Sequence, residues 1–177
     1  ASDVYKRQVL NLFAYTGGAT LAAAAAGAQV THVDASKGMV TWAKENAVSS
    51  GLGDAPIRWL VDDCVKFVER EIRRGNTYDA IIMDPPSYGR GPKGEIWKIE
   101  DMIHPLIKLC TKILSKDALF FLVNSYTTGL APAVLTYMIS TELKPWNGHV
   151  DSQEIGLPVT DSGLVLPCGA SGRWERD

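Results

Sequence analysis

The chain is poor in cysteine and histidine, with three of each in 177 residues. Cys64, Cys110 and Cys168 have no paired spacing, which argues against a disulfide framework and against a zinc site. Each is expected to behave as a small buried hydrophobe. No apolar run approaches the length of a membrane span, and the opening residues do not read as a secretory signal. Excess charge is lacking too: the formal net charge is −2 and the pI about 5.9. Nucleic-acid-binding proteins usually carry a basic footprint, so any such contact has to come from a local patch. The expectation is a cytoplasmic, metal-free domain without a membrane anchor. Apolar residues make up 46% of the chain, and its length suits one core.

What the chain does have is alternation. Apolar strands near 9–14, 29–33, 57–61, 78–83 and 118–123 alternate with helices near 18–26, 37–50, 64–74, 98–115 and 129–142. Such alternation implies an α/β fold, a parallel sheet with helices on both faces. Ser36 reads as the cap of the second helix and Gly51 as its close. After residue 145 the pattern changes. Two extended stretches, 150–159 and 164–174, flank Thr160-Asp161-Ser162-Gly163 and read as a hairpin.

The most informative stretch is Asp84-Pro85-Pro86-Ser87-Tyr88, which follows the strand Tyr78-Asp79-Ala80-Ile81-Ile82-Met83. Proline lacks an amide N–H and disfavours α geometry in the residue before it. The segment therefore reads as a rigid turn at the carboxyl end of a strand, where open α/β sheets bind ligands. Upstream, Val9 to Ala14 ends in Tyr15-Thr16-Gly17-Gly18 and opens an alanine helix. Strand, glycine turn and helix N-terminus form a cradle for a polar ligand. The second strand ends in Asp34, placed to accept from ribose hydroxyls. The third ends in Asp62-Asp63-Cys64. Alone, each acid would serve as a helix N-cap, and Asp62 is read that way. Jointly, the strand ends point to a nucleoside-type cofactor. A nicotinamide-dependent dehydrogenase shares the strand, the glycine turn and Asp34. It leaves Asp84-Pro85-Pro86 unexplained, and Gly17-Gly18 lacks Gly-x-Gly-x-x-Gly spacing.

From Val9 to Trp174 these residues resemble the class I S-adenosylmethionine-dependent methyltransferases. The likeness is strongest to the bacterial large-subunit ribosomal RNA group with cytosine-C5 and guanine-N7 enzymes. It is carried by Leu10-Asn11-Leu12-Phe13-Ala14-Tyr15-Thr16-Gly17-Gly18, by Val33-Asp34-Ala35-Ser36-Lys37 with Glu45-Asn46-Ala47, and by the Asp84 motif. The resemblance implies a Rossmann-like sheet closed by an antiparallel C-terminal hairpin, with S-adenosyl-L-methionine as cofactor. Phe13, Tyr15, Thr16, Gly17 and Gly18 would hold its methionine part. Asp34, with Ala35 beside it, would bind the ribose. Asp63 and the Cys64 amide would meet the adenine. Asp84, Pro85, Pro86, Ser87 and Tyr88 would face the methyl acceptor. One departure bears on chemistry. The cytosine-C5 enzymes attack the base with a cysteine after the fifth strand, where this chain has Asn124-Ser125-Tyr126. A serine hydroxyl is a far weaker nucleophile than a thiolate. The expected acceptor is therefore a base nitrogen of RNA, with protein and small-molecule methylation as alternatives.

Arg90, Lys93 and Lys98, with Trp97, are the local basic patch. Arg90, Lys93 and Asn124 are candidate substrate contacts. Trp97 is the aromatic residue with the strongest claim to a functional role. Residues 88–94 read as a glycine-rich lid loop. His32 is expected in the core, and Trp42 and Trp59 in packing roles. Residues 1–8 read as non-native or linker sequence, followed by a catalytic domain over 9–177 that lacks an N-terminal recognition domain.

Overall fold

The computed structural model of the protein describes residues 6–177. Ala80-Ile81-Ile82-Met83 is apolar without alternation, and all four side chains are buried. A strand covered by helices on both faces has that character. It is the fourth strand of a seven-stranded sheet. In chain order the elements are β1 (Gln8–Leu12), α1 (Gly18–Ala25), β2 (Gln29–Asp34), α2 (Lys37–Ser49), β3 (Ile57–Val61), α3 (Cys64–Arg74) and β4 (Ala80–Met83). Then come β5 (Tyr88–Arg90), β6 (Ile96–Lys98), α4 (Ile99–Cys110), β7 (Phe120–Ser125), α5 (Pro132–Glu142), β8 (Gly148–Pro158) and β9 (Val165–Arg176).

The large sheet runs β3-β2-β1-β4-β7-β9-β8. The first five are parallel; β9 runs antiparallel to both β7 and β8. This is the expected α/β architecture with its antiparallel close. The chain builds outward from β1 through β2 to β3, then returns to the other side of β1 with β4. The reversal falls between β1 and β4, the place where such sheets bind ligands. One face carries the larger core, in which Leu10, Leu12, Phe67, Ile81, Met83, Ile107, Phe121, Leu135 and Trp174 are buried. On the other, Val9, Val30 and Ile82 meet Ala24 and Ala28 of the alanine-rich segment. Small side chains there let α1 approach the sheet closely.

Boundaries differ where a turn residue decides them. α5 starts at Pro132 rather than near 129, because proline at the first helical position loses nothing by lacking an N–H. The helix expected over 98–115 ends at Cys110 and tightens into a 3-10 turn, Thr111–Ile113. The segment read as a lid loop is instead an antiparallel hairpin, β5 with β6. Its glycines and proline hid two short strands. Of residues 1–8, the first five lie outside the described residues. Gln8 begins β1, and the Arg7 carbonyl accepts from the Gln29 amide at 2.9 Å.

Gly169 marks where β9 crosses the end of β7. Its φ is +136°, and a Cβ there would collide with the Ser125 carbonyl. Gly169→Ala is expected to lower the unfolding free energy by about 1–3 kcal/mol. Gly18→Ala, in open space at the start of α1, is expected to cost nothing. Urea midpoints of the two variants check this; equal midpoints would show that the crossing relaxes freely.

Candidate cofactor and acceptor site

The loop after β1 leaves the sheet with two non-glycine residues in the left-handed region, Phe13 at φ 53° and Tyr15 at φ 50°. Such residues cost on the order of 1–3 kcal/mol each and persist only where neighbours fix them. Here the neighbours are identifiable. The Phe13 amide donates to the Cys64 thiol at 3.4 Å. The Tyr15 amide donates to Asp34 Oδ2 at 2.9 Å. Asp34 Oδ1 accepts from the Ser36 amide at 2.8 Å. One carboxylate thus ties the β1 loop to the β2 loop. Asn46 on α2 donates to the Thr16 carbonyl at 3.0 Å. Gly17 is left-handed at φ 89°, and a Cβ there would crowd that of Ala43 at 3.1 Å, so a side chain would be strained and tightly packed.

Beneath the loop lies a buried polar chain. Asn11 Nδ2 donates to Thr20 Oγ1 at 3.0 Å, and Thr20 Oγ1 meets His32 Nδ1 at 2.8 Å. His32 is fully buried and its ring lies 4.8 Å from Trp59. Burial lowers its pKa from the usual 6.5 to about 4. The core role expected of His32 is what the structure shows, and Trp59 packs on it. Trp42, by contrast, is half exposed on α2.

These loops enclose a cavity of about 570 Å³. Phe13, Tyr15, Asp34, Ala35, Asp63 and Cys64 line one side; Asp84, Pro86, Arg90, Trp97 and Tyr126 line the other. Asp63 caps α3, accepting from the Lys66 amide at 2.9 Å, while lying on the wall. Asp62 instead pairs with Arg70. No hydrogen bond or ion pair reaches the Asp84 carboxylate among the described residues; the residue is exposed on the cavity wall, and its partial desolvation there raises its pKa. Burial and the nearby Asp84 charge also raise Tyr126. Cys64 and Cys110 are buried, and burial pushes the Cys64 thiol well up. Cys168 is half-buried on β9.

Several expected site residues lie off the wall. Thr16 and Gly17 build the turn behind it, and Gly18 begins α1. Pro85 is buried. Ser87 bonds Thr127 at 2.8 Å, hydroxyl to hydroxyl. Tyr88 and Lys93 are exposed on the hairpin. Asn124 pairs with Ser171 inside the sheet, and Tyr126 takes the wall position two residues on. The rule that strand ends face the ligand would have found Tyr126. Trp97 faces inward: its Nε1 donates to the Pro86 carbonyl at 2.7 Å, and its ring lies 4.8 Å from Phe13. Ser36, Gly89 and Gly91 complete the lining; none has a side chain that advertises the position.

A 570 Å³ cleft at the switch point, bordered by acids from three strand ends and closed by an antiparallel strand, defines the Rossmann-like class that binds a nucleoside-type cofactor. The lining fits: carboxylates to accept from hydroxyl and amino hydrogens, and Phe13, Ala35, Pro86 and Trp97 for a flat ring. A family model for S-adenosylmethionine-dependent methyltransferases matches residues 2–139, and the chain belongs to that family. Its cofactor is S-adenosylmethionine. The nicotinamide reading is thereby set aside. A solved methyltransferase from Agrobacterium tumefaciens is 42% identical with TM-score 0.93, covering 99% of this chain and 58% of that one. SMU.776, a candidate methyltransferase complexed with SAH, shares the fold at 24% identity, TM-score 0.79, over 95% of this chain and 45% of its own. Ribosomal RNA large subunit methyltransferase K/L of Shewanella frigidimarina is 37% identical over 109 residues, 58% of this chain and 15% of that protein. Methyltransferase K of Neisseria meningitidis is 31% identical over 121 residues, 67% of this chain and 34% of that protein. The chain thus spans a minor part of these curated relatives. Among the described residues no helix is long and apolar enough to cross a membrane, and no cluster of His, Cys, Asp and Glu could hold a metal.

His32 makes stability depend on pH. Its folded pKa lies below the unfolded value, so the unfolded chain binds the proton first. Stability is full above about pH 6.5 and falls as pH drops toward 4, with about 2 kcal/mol lost by pH 5. Urea unfolding of the wild type and His32→Gln at pH 7 and pH 5 checks this. An equal acid loss in both proteins would place the sensitivity elsewhere.

Proposed function

We propose that the protein methylates a base nitrogen of ribosomal RNA. The observation that carries this reading is the unpartnered Asp84 carboxylate on the cavity wall, with no reactive thiol beside it. Cys64 lines the cavity, but its sulfur accepts from Phe13 and is held protonated by burial. Ser125 is buried, and its Oγ accepts from the Thr127 amide at 3.1 Å. Attack on a base carbon would need a nucleophile that this wall lacks. A nitrogen acceptor needs none. The ribosomal substrate is supported by the names of the curated relatives.

When bound, S-adenosylmethionine supplies a sulfonium-activated methyl group. The chain's own residues bind and align. Asp34 accepts from the ribose hydroxyls through lone pairs left by Tyr15 and Ser36. Asp63 and the Cys64 amide meet the adenine, and the Phe13–Gly18 turn holds the amino-acid end. Asp84 and the Pro85 carbonyl accept from the acceptor nitrogen's hydrogens and aim its lone pair. The Pro86 carbonyl is already engaged by Trp97. Partial desolvation strengthens Asp84 as an acceptor and brings its pKa nearer that of the departing proton. Tyr126, on the cavity wall, flanks the base.

Calorimetric titration with S-adenosylhomocysteine is expected to show binding that Asp34→Ala weakens by at least about tenfold, since charged hydrogen bonds contribute about 1.5–3 kcal/mol. Equal affinity would remove Asp34 from the cofactor site. With methyl-labelled cofactor and ribosomal RNA, label is expected in an N-methylated nucleoside. Asp84→Asn is expected to lower kcat by about 10²-fold or more. Recovery of 5-methylcytidine would overturn the nitrogen assignment, and label in protein or a small molecule would overturn the RNA assignment.

A further inference from the structure

Resting on the RNA reading above, we propose that the outward face of the β5–β6 hairpin is a contact platform for the single-stranded RNA beside the target base. The register pairs Tyr88 with Lys98, Gly89 with Trp97, and Arg90 with Ile96. Side chains alternate across a strand, so Tyr88, Arg90, Ile96 and Lys98 share one face and Gly89 and Trp97 the other. The inner face is committed. Trp97 is buried, bonded to Pro86 and packed on Phe13. The outer face is open: Tyr88 is 51% exposed and Ile96 52%, and Arg90 and Lys98 are exposed with them.

Charge is sorted between the two sides of this hairpin. Its one carboxylate, Glu95, is turned to α3, where Lys66 Nζ lies 2.6 Å from Oε1. That hydrogen bond, with the Lys93 amide on Oε2, lowers the Glu95 pKa to about 2. No hydrogen bond or ion pair engages the side chains of Tyr88, Arg90, Lys93 or Lys98 among the described residues. Glu100 and Asp101 follow in the first turn of α4, where the helix dipole favours them. Unpaired cations flanking an exposed phenol ring match a nucleic-acid single strand, with phosphates on the cations and a base on the ring. An acidic peptide would meet the cations and leave Tyr88 and Ile96 wet. The position fits as well. Tyr88 continues the Asp84 motif, and Gly89, Arg90 and Gly91 line the cavity. A strand laid along this face therefore arrives at the acceptor side. The chain's net charge of −2 makes the platform local.

Fluorescence anisotropy of a labelled unpaired RNA oligonucleotide, between about 50 and 200 mM salt, tests the assignment. Lys98→Ala is expected to weaken binding several-fold and reduce the salt slope by about one, and Lys98→Arg to retain both. Tyr88→Ala is expected to weaken binding about fivefold or more with the slope unchanged. S-adenosylhomocysteine affinity of Lys98→Ala is expected to equal the wild type, showing the pocket intact. Wild-type RNA binding matched by both alanine variants would refute the platform and leave the RNA reading standing. Absence of salt-dependent RNA binding by the wild type would refute both.

Discussion

A parallel sheet that grows in one direction and then returns must leave a gap where the direction changes, and everything at this site depends on that gap. The chain leaves β1 toward α1 and β2, while the chain leaving β4 heads for the hairpin and β7. Two diverging exits cannot cover the space between them. Six of the lining residues therefore sit at strand ends: Phe13 and Tyr15 after β1, Asp34 at the end of β2, Asp63 after β3, Asp84 after β4 and Tyr126 after β7. None could be moved into a helix without losing convergence.

Divergence opens the cavity, and local bonds give it a fixed shape. The Asp34 carboxylate spends one lone pair on Tyr15 and another on Ser36, so it shapes the loop before it meets a ligand. Cys64 does the same for Phe13, a structural use of a buried thiol. On the far side Trp97 fixes the Pro86 carbonyl. Asp34, Asp63, Cys64 and Trp97 are engaged in bonds that shape the wall, whereas no hydrogen bond or ion pair engages the Asp84 carboxylate among the described residues.

Much of this could be read from residue order. Alternation pointed to the sheet and its helices; Asp-Pro-Pro after a continuous apolar strand marked the central edge; acids at successive strand ends marked the wall of the cavity. The misses share a cause. Tyr88-Gly89-Arg90 and Ile96-Trp97-Lys98 are three-residue strands around a Gly-Pro-Lys-Gly turn, too short for a period to register. Trp97 sits among cations in sequence, and only the cross-strand register with Gly89 reveals that it faces the opposite way. Left-handed geometry at Phe13 and Tyr15 follows from hydrogen bonds to partners at positions 64 and 34, which no local pattern carries.

The C-terminal strands hold a further consequence. β8 and β9 pair over eleven residues with a register shift at Ile155/Gly156, but β7 accompanies β9 only as far as Ala170. Beyond the shift every residue from 156 to 167 is exposed. This outer arm has a two-stranded ladder and no core, the arrangement that is marginal in water. Its amides are expected to open more readily than those of the strands packed on the core, because local opening there sacrifices no buried contact. Hydrogen exchange through the arm reports its own opening rather than global unfolding. A protease is expected to cut between Gly156 and Pro167 without waiting for global unfolding.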